Sequence, residues 1–153
     1  MFFLLNIYDN EYAEILDTET HNISCEPLNK IKDLDIKGFS DSFKPKALIG
    51  FNSKFSFLIE KTTDKRRTLV VINAVGVELF RYGYESDEYL RPTILPMQSN
   101  HYKLDLYSDN SNLGFSIIFA ENDGKLSLVY SDSCIVHKTN KLLYLDGKFS
   151  RES

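Results

Sequence analysis

The chain predicts a mainly β protein, an antiparallel β-sandwich or partly closed barrel with one short helix, and three observations carry that prediction. Residues 101–145 hold five short runs of alternating apolar residues, parted by Asp109-Asn110-Ser111-Asn112, Glu121-Asn122-Asp123-Gly124, Ser131-Asp132-Ser133 and Thr139-Asn140-Lys141. Period-two alternation between turn-forming clusters is the signature of an antiparallel meander. The 11 Phe and 9 Tyr favour pleated, half-buried surfaces and bring large buried area per residue. Only one stretch shows a helical period.

In chain order, residues 2–8 and 12–16 form a first hairpin around Asp9-Asn10-Glu11. Simple alternation puts Phe3, Leu5 and Ile7 on one face and Phe2, Leu4 and Asn6 on the other, so both sides of this strand are expected to be covered. The polar residues 17–26 read as loop. Pro27 can start a short helix with Leu28, Ile31 and Leu34 at helical spacing, and Gly38 is a natural stop. Strand signals resume at 47–51, then at 55–61 and 68–74, which flank the polar tip Thr62-Thr63-Asp64-Lys65-Arg66-Arg67. A further strand spans 77–82. Residues 84–92 break the rhythm, and Pro92 and Pro96 suit an edge or crossing segment. The meander comes next. Phe55-Ser56-Phe57-Leu58-Ile59 is echoed by Phe115-Ser116-Ile117-Ile118-Phe119, which raises the prospect of two related β-halves. A length of 153 residues fits one domain, here 1–148, with 149–153 as a frayed tail.

Composition narrows the function classes. The net charge of −4 makes nonspecific nucleic-acid binding an unsuitable main role, because phosphate recognition needs a cationic footprint. It suits a basic protein partner instead. Residues 9–19 carry Asp9, Glu11, Glu14, Asp17 and Glu19 with no Lys or Arg between them. Residues 30–67 go the other way, with ten cations against five carboxylates. The opening Met1-Phe2-Phe3-Leu4-Leu5-Asn6-Ile7 lacks a basic leader and meets Asp9 at once, so it reads as strand rather than signal peptide. No segment reaches the length of a membrane span. Cys25 and Cys134 lack metal or CxxC spacing, and two free thiols in a reducing cytoplasm are expected, the alternative being one long-range disulfide if the fold brings their Cα atoms within roughly 7 Å.

Few residues suggest chemistry. His101 and His137, with Lys103 or Lys138, could run acid–base chemistry on phosphate esters only if a ladder brought them together. Cys134 and His137 lie three apart in one strand and so point to opposite faces. No metal motif or Gly-rich phosphate loop occurs, and neither metal nor cofactor is expected. Lys65-Arg66-Arg67 fits a solubilising hairpin tip. The segment Tyr82-Gly83-Tyr84-Glu85-Ser86-Asp87-Glu88-Tyr89 sets three Tyr among three carboxylates where regular structure is interrupted. Tyr offers contact area at low entropic cost, and carboxylates complement Lys or Arg.

A strand directly after the first Met, an acid-rich hairpin at 9–19 and an acidic Tyr segment at 82–89 together resemble, in general type, the immunity proteins of bacterial contact-dependent growth-inhibition systems. The resemblance implies a cytoplasmic antidote, not an enzyme, that covers the active site of a basic nuclease toxin. Asp9, Glu11, Glu14, Glu85, Asp87 and Glu88 would then mimic substrate phosphates, with Tyr84 and Tyr89 as anchors and no direct contact to nucleic acid or membrane. Two other classes stay open. A small-ligand or structural β-module predicts a ligand cavity, and a metal-free hydrolase or nuclease would rest on His101 and His137.

Overall fold

Strand β1 (Phe2–Tyr8) pairs antiparallel with β2 (Tyr12–Asp17), and β2 pairs antiparallel with β3 (Ile23–Pro27). The two-residue β4 (Ile36–Lys37) lies parallel to β1, giving the order β3-β2-β1-β4. The structure, a computed structural model, describes residues 1–31, 33–63, 65–86, 90–97, 100–109, 114–132, 142–145 and 148–151. It divides into two compact units, Met1–Glu85 and Ser86–Ser153.

In the first unit a second sheet follows the first. Strands β5 (Lys46–Phe51), β6 (Phe55–Lys61), β7 (Arg66–Asn73) and β8 (Glu78–Glu85) form an antiparallel meander. The two sheets share one core, in which Phe3, Leu5 and Leu16 meet Leu58, Val70 and Ile72. This is sandwich packing, driven by removal of these side chains from water. The opposite face of the first sheet is covered too. Leu4, Ala13 and Ile15 pack against Ile31, with Leu28, Ile36 and Phe43 around them. Both sides of β1 are therefore buried, as the apolar run Phe2-Phe3-Leu4-Leu5 requires.

The face assignment differs from simple alternation at one residue. The ladder shifts register between Leu4 and Asn6, so Leu5 is an extra residue on β1. A bulge of this kind reverses the facing of the strand residues beyond it. Ile7 therefore joins Leu4 rather than Phe3 and Leu5.

The short helix is a single 3₁₀ turn, Leu28–Lys30, without a side-chain cap. It does not run on to Gly38, because Ile36 and Lys37 gain ladder bonds to β1 instead. Gly38 then turns the chain at φ +97, where a Cβ would press on the Leu4 carbonyl and the Phe3 ring, each at 3.4 Å. At the start of β1 the Thr18 hydroxyl lies between the backbone carbonyls of Met1 and Ala74, tying the two sheets together.

The second unit holds β9 (Leu90–Pro96), β10 (His101–Ser108), β11 (Gly114–Asn122) and β12 (Lys125–Asp132) in the order β12-β11-β10-β9. Pro92 and Pro96 fall on the edge strand, where a missing ladder donor costs least. Asp123 and Gly124 both take positive φ in the β11–β12 turn, the primed geometry that matches strand twist. Leu104, Leu106, Ile117, Ile118 and Phe119 are fully buried. So is a polar group: Lys103 pairs with Asp105 at 3.2 Å, and the Ser116 hydroxyl donates to Asp105 at 2.6 Å. A last hairpin joins β13 (Leu142–Leu145) to β14 (Lys148–Arg151). The run containing Cys134 and His137 lies outside the described residues. The sequence echo falls on β6–β7 and β11–β12, the inner and adjoining strands of two four-stranded meanders.

Candidate functional site

The tip of the β1–β2 hairpin is built by turn chemistry. Asp9 and Asn10 take φ of 51 and 55, and the Glu11 N–H closes the turn on the Tyr8 carbonyl at 3.0 Å. Asp and Asn tolerate this left-handed region better than most residues. The turn places Tyr8 directly opposite Tyr12, and Asn6 opposite Glu14. These side chains continue the face that carries Phe3, Leu5 and Leu16, but beyond the shared core they are open. Tyr8 is 43% exposed and Tyr12 47%. The Tyr8 hydroxyl donates to the Glu14 carboxylate at 3.1 Å, and Asp9 and Glu11 are exposed at the bend. Cys25, a free exposed thiol, sits opposite Glu14 on β3. Further down the hairpin, Asp17 accepts the Glu19 N–H at 3.0 Å, which holds its carboxyl below the ordinary value against a small opposing effect of burial.

The second acidic segment is placed differently from the sequence expectation. The strand expected to stop at Tyr82 runs on to Glu85 as the end of β8, because Tyr82 and Tyr84 alternate with Gly83 and Glu85 in register with β7. Tyr84 lies opposite Arg67, and Glu85 opposite Arg66. The acidic segment and the basic tip, separate in sequence, thus share one ladder. Asp87, Glu88 and Tyr89 lie outside the described residues. Glu14 belongs to the first sheet, with Asp9 and Glu11 in the turn of its hairpin, whereas Tyr84 and Glu85 belong to the second sheet.

A feature that sequence reasoning missed is a cleft of about 310 Å³ beside β5, β6 and β8, walled by residues 38–44. Lys46 and Glu60 stand opposite each other on β5 and β6, and their charged groups meet at 3.3 Å with side chains 9% and 5% exposed. Arg81 reaches the other Glu60 oxygen at 3.4 Å. It also grips Glu78 through Nε at 2.7 Å and a terminal nitrogen at 3.1 Å, a forked, charge-assisted pair. That bond, more than the Glu60 charge, pushes the Arg81 guanidinium still higher than usual. The Lys46 ammonium donates to the Lys44 carbonyl at 3.0 Å and lies 5.3 Å from the Phe43 ring centre. One signal for this cluster was present: Glu60 shares an inward face with Ser56 and Leu58, where a carboxylate needs partners.

The histidines are dispersed among the described residues. His21 stacks on Phe51 at 4.3 Å, His101 opens β10, and His137 lies outside the described residues. Among the described residues no group of three or more His, Cys, Asp or Glu could hold a metal ion. No described helix is long and apolar enough to cross a membrane. No protein-family model matches this chain, and no curated protein or solved structure does either.

Proposed function

We propose that this chain is a protein-binding antidote of the immunity type, which captures a basic protein, a nuclease toxin domain, through the tip of its first hairpin. One observation carries the reading. The open end of the first sheet sets the half-exposed rings of Tyr8 and Tyr12 beside Glu14, with Asp9 and Glu11 at the bend. Tyr rings give a rigid contact surface that hydrogen-bonds at its rim, and clustered carboxylates attract a cationic site over several ångströms. A nuclease site that binds phosphates offers the complementary charge. Capture then proceeds by steering and ends in occlusion, with no bond made or broken. Tyr84 and Glu85 form a second candidate contact, tempered by Arg66 and Arg67 across the ladder.

The test is affinity capture by the tagged chain in its host, with neighbouring gene products supplied, followed by binding kinetics on the purified partner. A stoichiometric basic protein whose association slows with salt supports the reading. Joint reversal of Asp9, Glu11 and Glu14 to Lys should abolish capture, and loss of one central desolvated carboxylate should cost about 2–5 kcal/mol. A partner held equally well by the triple reversal would sink the hairpin assignment. Failure of the unaltered chain to protect a toxin-exposed cell would sink the antidote reading.

A further inference from the structure

The cleft beside β5 contains more than its own charge balance needs. Its floor is self-satisfied: Glu60 gives one oxygen to Lys46 and the other to Arg81, and Arg81 is forked onto Glu78. Two cations and two carboxylates therefore neutralise one another in place. The wall formed by residues 38–44 adds Lys44, Ser40, Ser42 and Phe39. Lys44 is exposed and makes no ion pair among the described residues, although its carbonyl anchors Lys46. Phe39 is 51% exposed at the cleft's edge, and its place is set by the left-handed turn at Gly38. None of these wall side chains is needed to hold the floor.

We infer that this cleft is a binding site for a small organic anion with an aromatic body. The volume of about 310 Å³ lies at the small end of the range for ligand pockets. A carboxylate or phosphate group finds one uncommitted cation, Lys44, with two hydroxyl donors on the same wall, and a ring of the ligand covers Phe39. A cationic ligand finds both carboxylates already occupied. The site lies apart from the hairpin tip in residue content, so it stands or falls independently of the antidote reading.

The experiment is an amide chemical-shift titration of the full chain with phenyl phosphate, run beside inorganic phosphate and benzylamine. Saturable shifts at residues 38–44 with phenyl phosphate, weaker ones with inorganic phosphate and none with benzylamine are expected. Lys44→Glu, at an exposed position that leaves the floor intact, should weaken binding about tenfold, the loss of one charge-assisted bond. Phe39→Ala should weaken phenyl phosphate but not inorganic phosphate. Absence of saturation, equal response to benzylamine, or full affinity in Lys44→Glu would each overturn the assignment.

Discussion

Replacing Glu60 by Gln should destabilise the first unit far more than its single lost charge suggests. Lys46 is 9% exposed and its ammonium lies 3.3 Å from Glu60, so the substitution strands a buried cation beside a carbonyl and two rings. Breaking a buried pair on one side costs roughly 3–5 kcal/mol. Here Arg81 keeps Glu78, and the Lys44 carbonyl still accepts from Lys46, so a smaller loss of about 2–3 kcal/mol is expected, at or just below the bottom of that scale. Lys46→Met leaves Glu60 with Arg81 at 3.4 Å and should cost less, about 1–2 kcal/mol. The double variant removes both charges, and the cycle should close with a coupling of at least about 1 kcal/mol. Urea unfolding followed by Tyr emission and circular dichroism reads all four corners, since the chain has 9 Tyr and no Trp. Additive losses, with no coupling, would refute the buried-pair reasoning.

Two other outcomes test the fold. Leu58→Ala removes a fully buried side chain between the two sheets and should cost about 2–5 kcal/mol, whereas Leu128→Ala, 45% exposed on β12, should stay within about 0.5 kcal/mol; similar losses in the two by urea melts would contradict the shared core. The Asp17 carboxyl should titrate below its ordinary 3.8 by carbon NMR, so its stabilising effect is present above that value and fades as pH falls through the folded pKa; a value at or above 3.8 would remove the Glu19 N–H from the account.

The strands were legible where alternation and turn chemistry agreed. The strands from His101 to Asp132, the Asp9-Asn10 hairpin and the edge position of Pro92 all follow from local pattern, because a side-chain period of two survives in most tertiary settings. Leu142–Leu145, by contrast, pairs with Lys148–Arg151 in a separate hairpin. The bulge at Leu5 was not legible, since an extra residue leaves no mark in an unbroken apolar run. Nor was the end of β8: Gly83 and the charged residues hid a strand whose partner, β7, supplies the order. Helical spacing at Leu28 and Ile31 was real but served another purpose, turning both side chains onto Leu4 and Ile15. For the site, the acids at Asp9, Glu11 and Glu14 could be read as a group because they are neighbours in sequence. Lys46, Glu60 and Arg81 could not, because only strand registers bring them together.

The parallel ladder between β1 and β4 has a kinetic consequence. It is the pairing among the described strands that no hairpin supplies, so its ends must find each other across the whole of β2, β3 and the 3₁₀ turn. Closing so long a loop is entropically costly before any contact rewards it, whereas each meander can zip from its own turns. Residues 28–43 should therefore dock late, and until they do, Leu4, Ala13 and Ile15 stand bare on a nascent sheet. Pulse-labelled amides would show Ile36 and Lys37 gaining protection after Val70 and Val71. For the newly made chain, that interval is when it is most prone to stick to its own copies.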